Sequence, residues 1–166
     1  MSDAVLEGIN AEKVALWFAA HIPGVNPPLE YQLIAGGHSN LTYRVEDQDQ
    51  NTYVLRRPPL GHVLATAHDM AREHRIISAV GHTEVPVPPT LGLCEDHEVN
   101  GVPFYVMEYV DGEVLHSDLE SNLVSAPERM ELSREVVEVL AELHSIEPDD
   151  IGLGELAKRE DYLGRQ

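Results

Sequence analysis

Two constellations in this sequence carry residue types able to hold an anion. The first is Gly36-Gly37-His38-Ser39-Asn40. Paired glycines let a backbone approach a ligand closely, and successive N–H groups can then cradle anionic oxygens. The same residues also suit a glycine-containing hairpin turn. They match neither the GxxxxGK[ST] phosphate loop nor the opening of a Rossmann helix, because a strand-like segment follows them. The second constellation joins Arg56 to Glu73. At about 100° per residue, Met70, Ile76, Ile77 and Val80 share one side of a helix, with Glu73 near the middle of that stripe. A carboxylate on such a face is costly unless a cation meets it. Strand alternation puts Val54 and Arg56 on one face of the segment before Pro58, and Tyr53, Leu55 and Arg57 on the other. Arg56 is therefore the expected cation. The pair would be either a structural ion pair or a means of aiming a guanidinium at the ligand of the glycine turn.

The elements that must position these residues follow from caps, periodicity and breakers. Asn10 caps a helix over 11–21, with Val14, Trp17 and Phe18 on its apolar face and Pro23-Gly24 ending it. Strands are predicted over 31–35, 41–46 and 52–56, joined so closely that they must pair antiparallel. A helix over 67–80 opens on a capping box of Thr66 and Asp69 and stops at Gly81. The proline cluster at 86–89 enforces an extended connection into strands over 91–95 and 103–110, with a turn near Asn100-Gly101. Ser125 and Glu128 form a stronger capping box, opening a helix to about His144 with Met130, Val137, Leu140, Ala141 and His144 on one face. The tail over 156–166 reads as helical. The expected fold is α+β, with a five-stranded, mainly antiparallel sheet and a packed helix.

In this order the parts resemble the small lobe of a kinase-like fold, followed by the first helices of a large lobe. More specifically, the phrases AGGHSNLTYRV, YVLRRPP, AREHRIISAV, VPVPPTLGLCED, GVPFYVMEYVDGEV and AELHS resemble the aminoglycoside phosphotransferase family. The likeness extends to the branch that includes the phosphotransferase domains fused to certain acyl-CoA dehydrogenases. It implies an N-terminal helical segment over 1–28, a nucleotide-binding small lobe and hinge over 29–110, and the start of a truncated helical lobe over 111–166. It further implies that Gly36, Gly37, His38, Ser39 and Asn40 form the loop over the nucleotide phosphates. Val54 would line the adenine pocket, and Arg56 would stand where kinases usually carry a lysine, with Glu73 as its helix partner. Met107 would lie at the back of the pocket, and Glu108, Tyr109 and Val110 would form the hinge. The cofactor implied is ATP (or GTP) with magnesium, and the partner a small-molecule hydroxyl substrate of the full-length protein.

The resemblance also implies what this sequence lacks. The family's HGD-x4-N-type catalytic loop and later IDW-type segment, which carry the base and the metal ligands, are not found here. His116-Ser117-Asp118 with Asn122 imitates the loop, but its Asp-to-Asn spacing is one residue short and it follows the hinge directly. No catalytic residue is therefore expected in this chain, the metal ligands are expected outside it, and the chain alone is expected to be inactive. The alternative is a non-catalytic nucleotide-binding or interaction module. Composition limits other classes. The 166 residues carry 11 Lys plus Arg against 29 Asp plus Glu, a formal charge of −18. That argues against nucleic acid and anionic membrane surfaces. A single cysteine, Cys94, excludes an internal disulfide. The nine histidines include no pair three or four apart, so no helical zinc motif is present. With no signal-peptide pattern and no long apolar run, the expected compartment is the cytoplasm.

Overall fold

A computed structural model describes residues 7–35, 40–61, 68–112 and 124–156. Helix α1 (Ala11–His21) is capped by Asn10, whose side chain accepts from the Lys13 amide, as its sequence predicts. Strands β1 (Glu30–Ala35), β2 (Leu41–Glu46) and β3 (Thr52–Arg57) follow. Helix α2 (Met70–Val80) precedes β4 (Thr90–Cys94), the short helix α3 (His97–Asn100) and β5 (Phe104–Glu108). Helix α4 (Ala126–Ser145) is the last of the described helices. The sheet order is β1-β2-β3-β5-β4, and every neighbouring pair is antiparallel.

Three local expectations shift. Asp69 does not sit inside the first turn of α2. Its carboxylate accepts from the Arg72 amide at 2.9 Å, so Asp69 itself caps the helix, while its expected partner Thr66 lies outside the described residues. The turn near Asn100-Gly101 is instead the end of α3, where Gly101 takes a left-handed conformation at φ 76°. Four residues are too few to show periodicity, and Asp96 as cap was the available signal. The last predicted strand ends at Glu108, leaving Tyr109 and Val110 outside it. The tail expected over 156–166 lies outside the described residues from 157 onward, as does the segment holding His116, Asp118 and Asn122.

The chain divides into two compact units, Met1–Ser78 with Pro88–Val110, and Ala79–Val87 with Asp111–Gln166. In the first, α1 covers one face of the sheet. Val14, Trp17 and Phe18 pack with Leu41, Tyr43, Val45, Tyr53, Leu55, Phe104 and Val106 in one core. Trp17 meets Phe104 edge-on at 5.0 Å between ring centroids, and Phe18 meets Tyr53 at 5.9 Å. Gly92 in β4 has no side chain because the indole is there: a Cβ would lie 2.9 Å from Trp17 Cη2. Arg57 also belongs to this face, buried, donating to the carbonyls of Pro58 and Gly8. At the β2–β3 turn, buried Asp47 accepts from the amides of Asn26, Asp49 and Asn51. In the second unit, the Ser125–Glu128 capping box of α4 is present in both directions. The face of α4 expected to pack is exposed, Met130 at 76% and Val137 at 64%. Among the described residues, no helix is long and apolar enough to cross a membrane.

Candidate functional site

The face of the sheet opposite α1 carries the candidate chemistry. Register places Thr42, Arg56 and Tyr105 in one row across β2, β3 and β5, and Arg44, Val54 and Met107 in the next. These residues share a face because side chains along each strand alternate. Glu73, one turn into α2, reaches this face. Its Oε2 accepts from Arg56 Nε at 2.9 Å and from the Tyr105 hydroxyl at 3.3 Å, and its Oε1 accepts from Asn40 Nδ2 at 2.6 Å. Arg56 Nη1 donates to Thr42 Oγ1 at 2.9 Å. Asn40 Oδ1 in turn lies 2.6 Å from His68 Nδ1. The ion pair is thus embedded in a network joining three strands and a helix. Among the described hydrogen bonds of Arg56, Nε and Nη1 are engaged, and Nη2 remains as donor to a ligand oxygen.

Burial shapes the electrostatics here. It pushes the Tyr105 hydroxyl up to about 12, with the neighbouring Glu73 adding to the rise and Arg56 opposing it, so Tyr105 acts as a neutral donor. His74, edge-on to Tyr105 at 6.1 Å, has its pKa lowered by burial and is thereby biased toward the neutral ring. In the next row, buried Val54 and half-buried Met107 form an apolar floor. Arg44 pairs with Glu46 at 2.6 Å and lies 5.5 Å over the Tyr109 ring. The Glu108 amide donates to Pro89 O at 2.9 Å.

The structure therefore brings together Asn40, Arg56 and Glu73 directly, with Val54 and Met107 one row away and Glu108, Tyr109 and Val110 at the end of β5. Gly36, Gly37, His38 and Ser39 lie outside the described residues. Thr42, Tyr105 and His68 are additional members. Thr42 and Tyr105 could have been found by carrying strand alternation across the sheet register. His68 had no comparable signal, because its contact spans 28 positions. Among the described residues, no three or more His, Cys, Asp or Glu side chains are grouped to hold a metal ion.

A helix glutamate holding a basic side chain of the third strand, beside an apolar floor, is a kinase-like arrangement. Residues 30–166 match the model of the phosphotransferase enzyme family. The chain belongs to that family. Its fold agrees with a solved chain from Ralstonia eutropha assigned as an aminoglycoside phosphotransferase. The TM-score is 0.74 at 34% identity, covering 93% of this chain and 44% of that one. A probable acyl-CoA dehydrogenase of Arabidopsis thaliana is 38% identical over 146 residues, 84% of this chain and 18% of that protein. Acyl-CoA dehydrogenase family member 10 of Mus musculus is 36% identical over 139 residues, 84% of this chain and 13% of the relative. Family member 11 of Homo sapiens is 37% identical over 130 residues, 78% of this chain and 16% of the relative. The chain spans less than a fifth of the length of these curated relatives.

Proposed function

We propose that this chain is the nucleotide-holding part of a small-molecule phosphotransferase. The base would lie on Val54 and Met107 against the hinge at Glu108, Tyr109 and Val110. Arg56 would take a phosphate oxygen, aided by backbone donors from Gly36 to Asn40. The observation that carries this reading is the state of Arg56. Two of its nitrogens are tied to Glu73 and Thr42, which fixes the guanidinium while leaving Nη2 to a ligand. Guanidinium suits the task because it stays charged and presents its donors in a fixed plane.

The reaction served would be transfer of the γ-phosphoryl group of ATP or GTP to a hydroxyl of a small molecule. Magnesium, when bound, neutralises charge on the phosphates. Its protein ligands and the base that accepts the hydroxyl proton are proposed to lie outside this chain, which would bind nucleotide without turning it over. The test is titration of the whole chain with Mg-ATP, followed by backbone amide shifts. Shifts concentrated at 36–40, Val54, Arg56 and 108–110 support the pocket. An unchanged spectrum at millimolar Mg-ATP overturns it, and ATP hydrolysis at an enzyme-like rate overturns the claim of inactivity.

A further inference from the structure

The amide of Asn40 sits between two groups that dictate which way it faces. The Glu73 carboxylate only accepts, so Nδ2 must face Oε1, where the separation is 2.6 Å. The opposite flip would set two oxygens against each other. Oδ1 is thereby turned to His68, 2.6 Å from Nδ1. An amide oxygen also only accepts, so Nδ1 of His68 must carry a hydrogen in both the neutral ring and the imidazolium. The hydrogen bonds then run in one direction, from His68 to Asn40 and from Asn40 to Glu73. Arg56 Nε and the Tyr105 hydroxyl donate to the other oxygen of the same carboxylate. Asn40 is 4% exposed, so water cannot readily replace a lost partner.

We propose that His68 is a positioning residue. Through Asn40 it holds Glu73 in the orientation that aims Arg56 at its ligand. What Arg56 holds rests on the nucleotide reading above, whereas the chain of hydrogen bonds does not. Without the His68 donor, Asn40 loses the bond that opposes its release from Glu73, and the Glu73 carboxylate gains freedom to turn with Arg56 attached.

Two measurements on the whole chain test this. The first is the pair of imidazole nitrogen shifts of His68 in the unliganded protein, recorded where the ring is neutral. The Nδ1–H tautomer is expected, and the Nε2–H tautomer with bare Nδ1 overturns the proposal. The second compares H68A, H68Q and H68N by the hydrogen-exchange rate of Arg56 Nε–H and by Mg-ATP affinity. Asparagine returns a donor near the place of Nδ1, whereas alanine and glutamine do not. Protection of Arg56 Nε–H should fall about three- to tenfold in H68A and H68Q and be retained in H68N, a range set by ordinary coupling between networked residues. Nucleotide affinity should follow the same order. Unchanged protection in H68A, or loss in all three alike, overturns the positioning role. If the wild-type chain binds no nucleotide, the nucleotide reading fails, and the tautomer and exchange rates still decide on His68.

Discussion

At the scale of single residues, Arg56 and Asp47 show how differently two hydrogen-bonded charges act. Arg56 is held by Glu73 and Thr42 through separate nitrogens, so lysine can replace it only in part. A lysine keeps the charge but offers no fork that serves both partners and a ligand. Loss of a charge-assisted contact is worth about 1.5–3 kcal/mol, so R56A should weaken Mg-ATP binding roughly 10- to 100-fold. R56K should weaken it less, and calorimetric titration distinguishes the two; equal affinity in all three proteins would remove Arg56 from the site. Asp47 acts on stability instead. Burial works to raise its pKa, but hydrogen bonds from the Asn51 side chain and from the amides of Asn26, Asn51 and Asp49 outweigh it, so the net shift is downward. A depressed carboxylate contributes stability in full above the unfolded-state value, near pH 4, and loses it as pH falls through the folded value. D47A should therefore cost about 3 kcal/mol at pH 7, where three amides lose their acceptor. The gap between mutant and wild-type unfolding curves should narrow as pH falls below 4. A gap that stays constant from pH 7 to pH 3 would show that the ionised carboxylate is not what holds the turn.

At the scale of elements, α1 and β4 meet through a side chain and the lack of one. Trp17 is wedged between Phe104 and His21, at 5.0 and 4.7 Å between ring centroids, so the indole has little room to yield to a new methyl. G92A should cost about 1–3 kcal/mol by overpacking. Combining it with W17F should recover part of that loss, because phenylalanine does not reach the position of Cη2. Additive losses in chemical denaturation would mean that the contact does not set the strand's distance from the helix. The same elements show what was legible beforehand. The bounds of α1 and the capping box of α4 could be read because cap, periodicity and breaker all lie within one element. The Arg56–Glu73 pair was legible for a similar reason: helix phase and strand alternation each identified a charge needing a partner. Asn40 illustrates the limit. Its place beside the paired glycines suggested a phosphate loop, but its side chain reaches Glu73, 33 positions away, and no local pattern encodes that contact. The face of α4 shows the converse, since a clear apolar stripe did not correspond to burial among the described residues.

At the scale of the whole molecule, the charge of −18 opposes the proposed ligand. The cations on the candidate face do not offset it locally, because Arg44 is paired with Glu46 and Arg56 with Glu73. A nucleotide approaching this chain therefore meets a repulsive field at long range and a favourable donor only at contact. The two act over different distances and respond differently to salt. Screening lengths shrink from about 30 Å at 0.01 M to about 8 Å at 0.15 M, which removes the distant repulsion but leaves short hydrogen bonds largely intact. The association rate for Mg-ATP should accordingly rise by about two- to tenfold over that range, while the dissociation rate changes little. Basic nucleotide sites that attract their ligand electrostatically should show the reverse trend. Stopped-flow measurement with a fluorescent nucleotide at several salt concentrations separates these cases. A rate that falls with added salt would show that the approach is steered by positive potential, and that the local arrangement around Arg56 outweighs the acidity of the chain. A rising rate would leave affinity to contact chemistry alone, and substitution at Arg56 should then act almost wholly on dissociation.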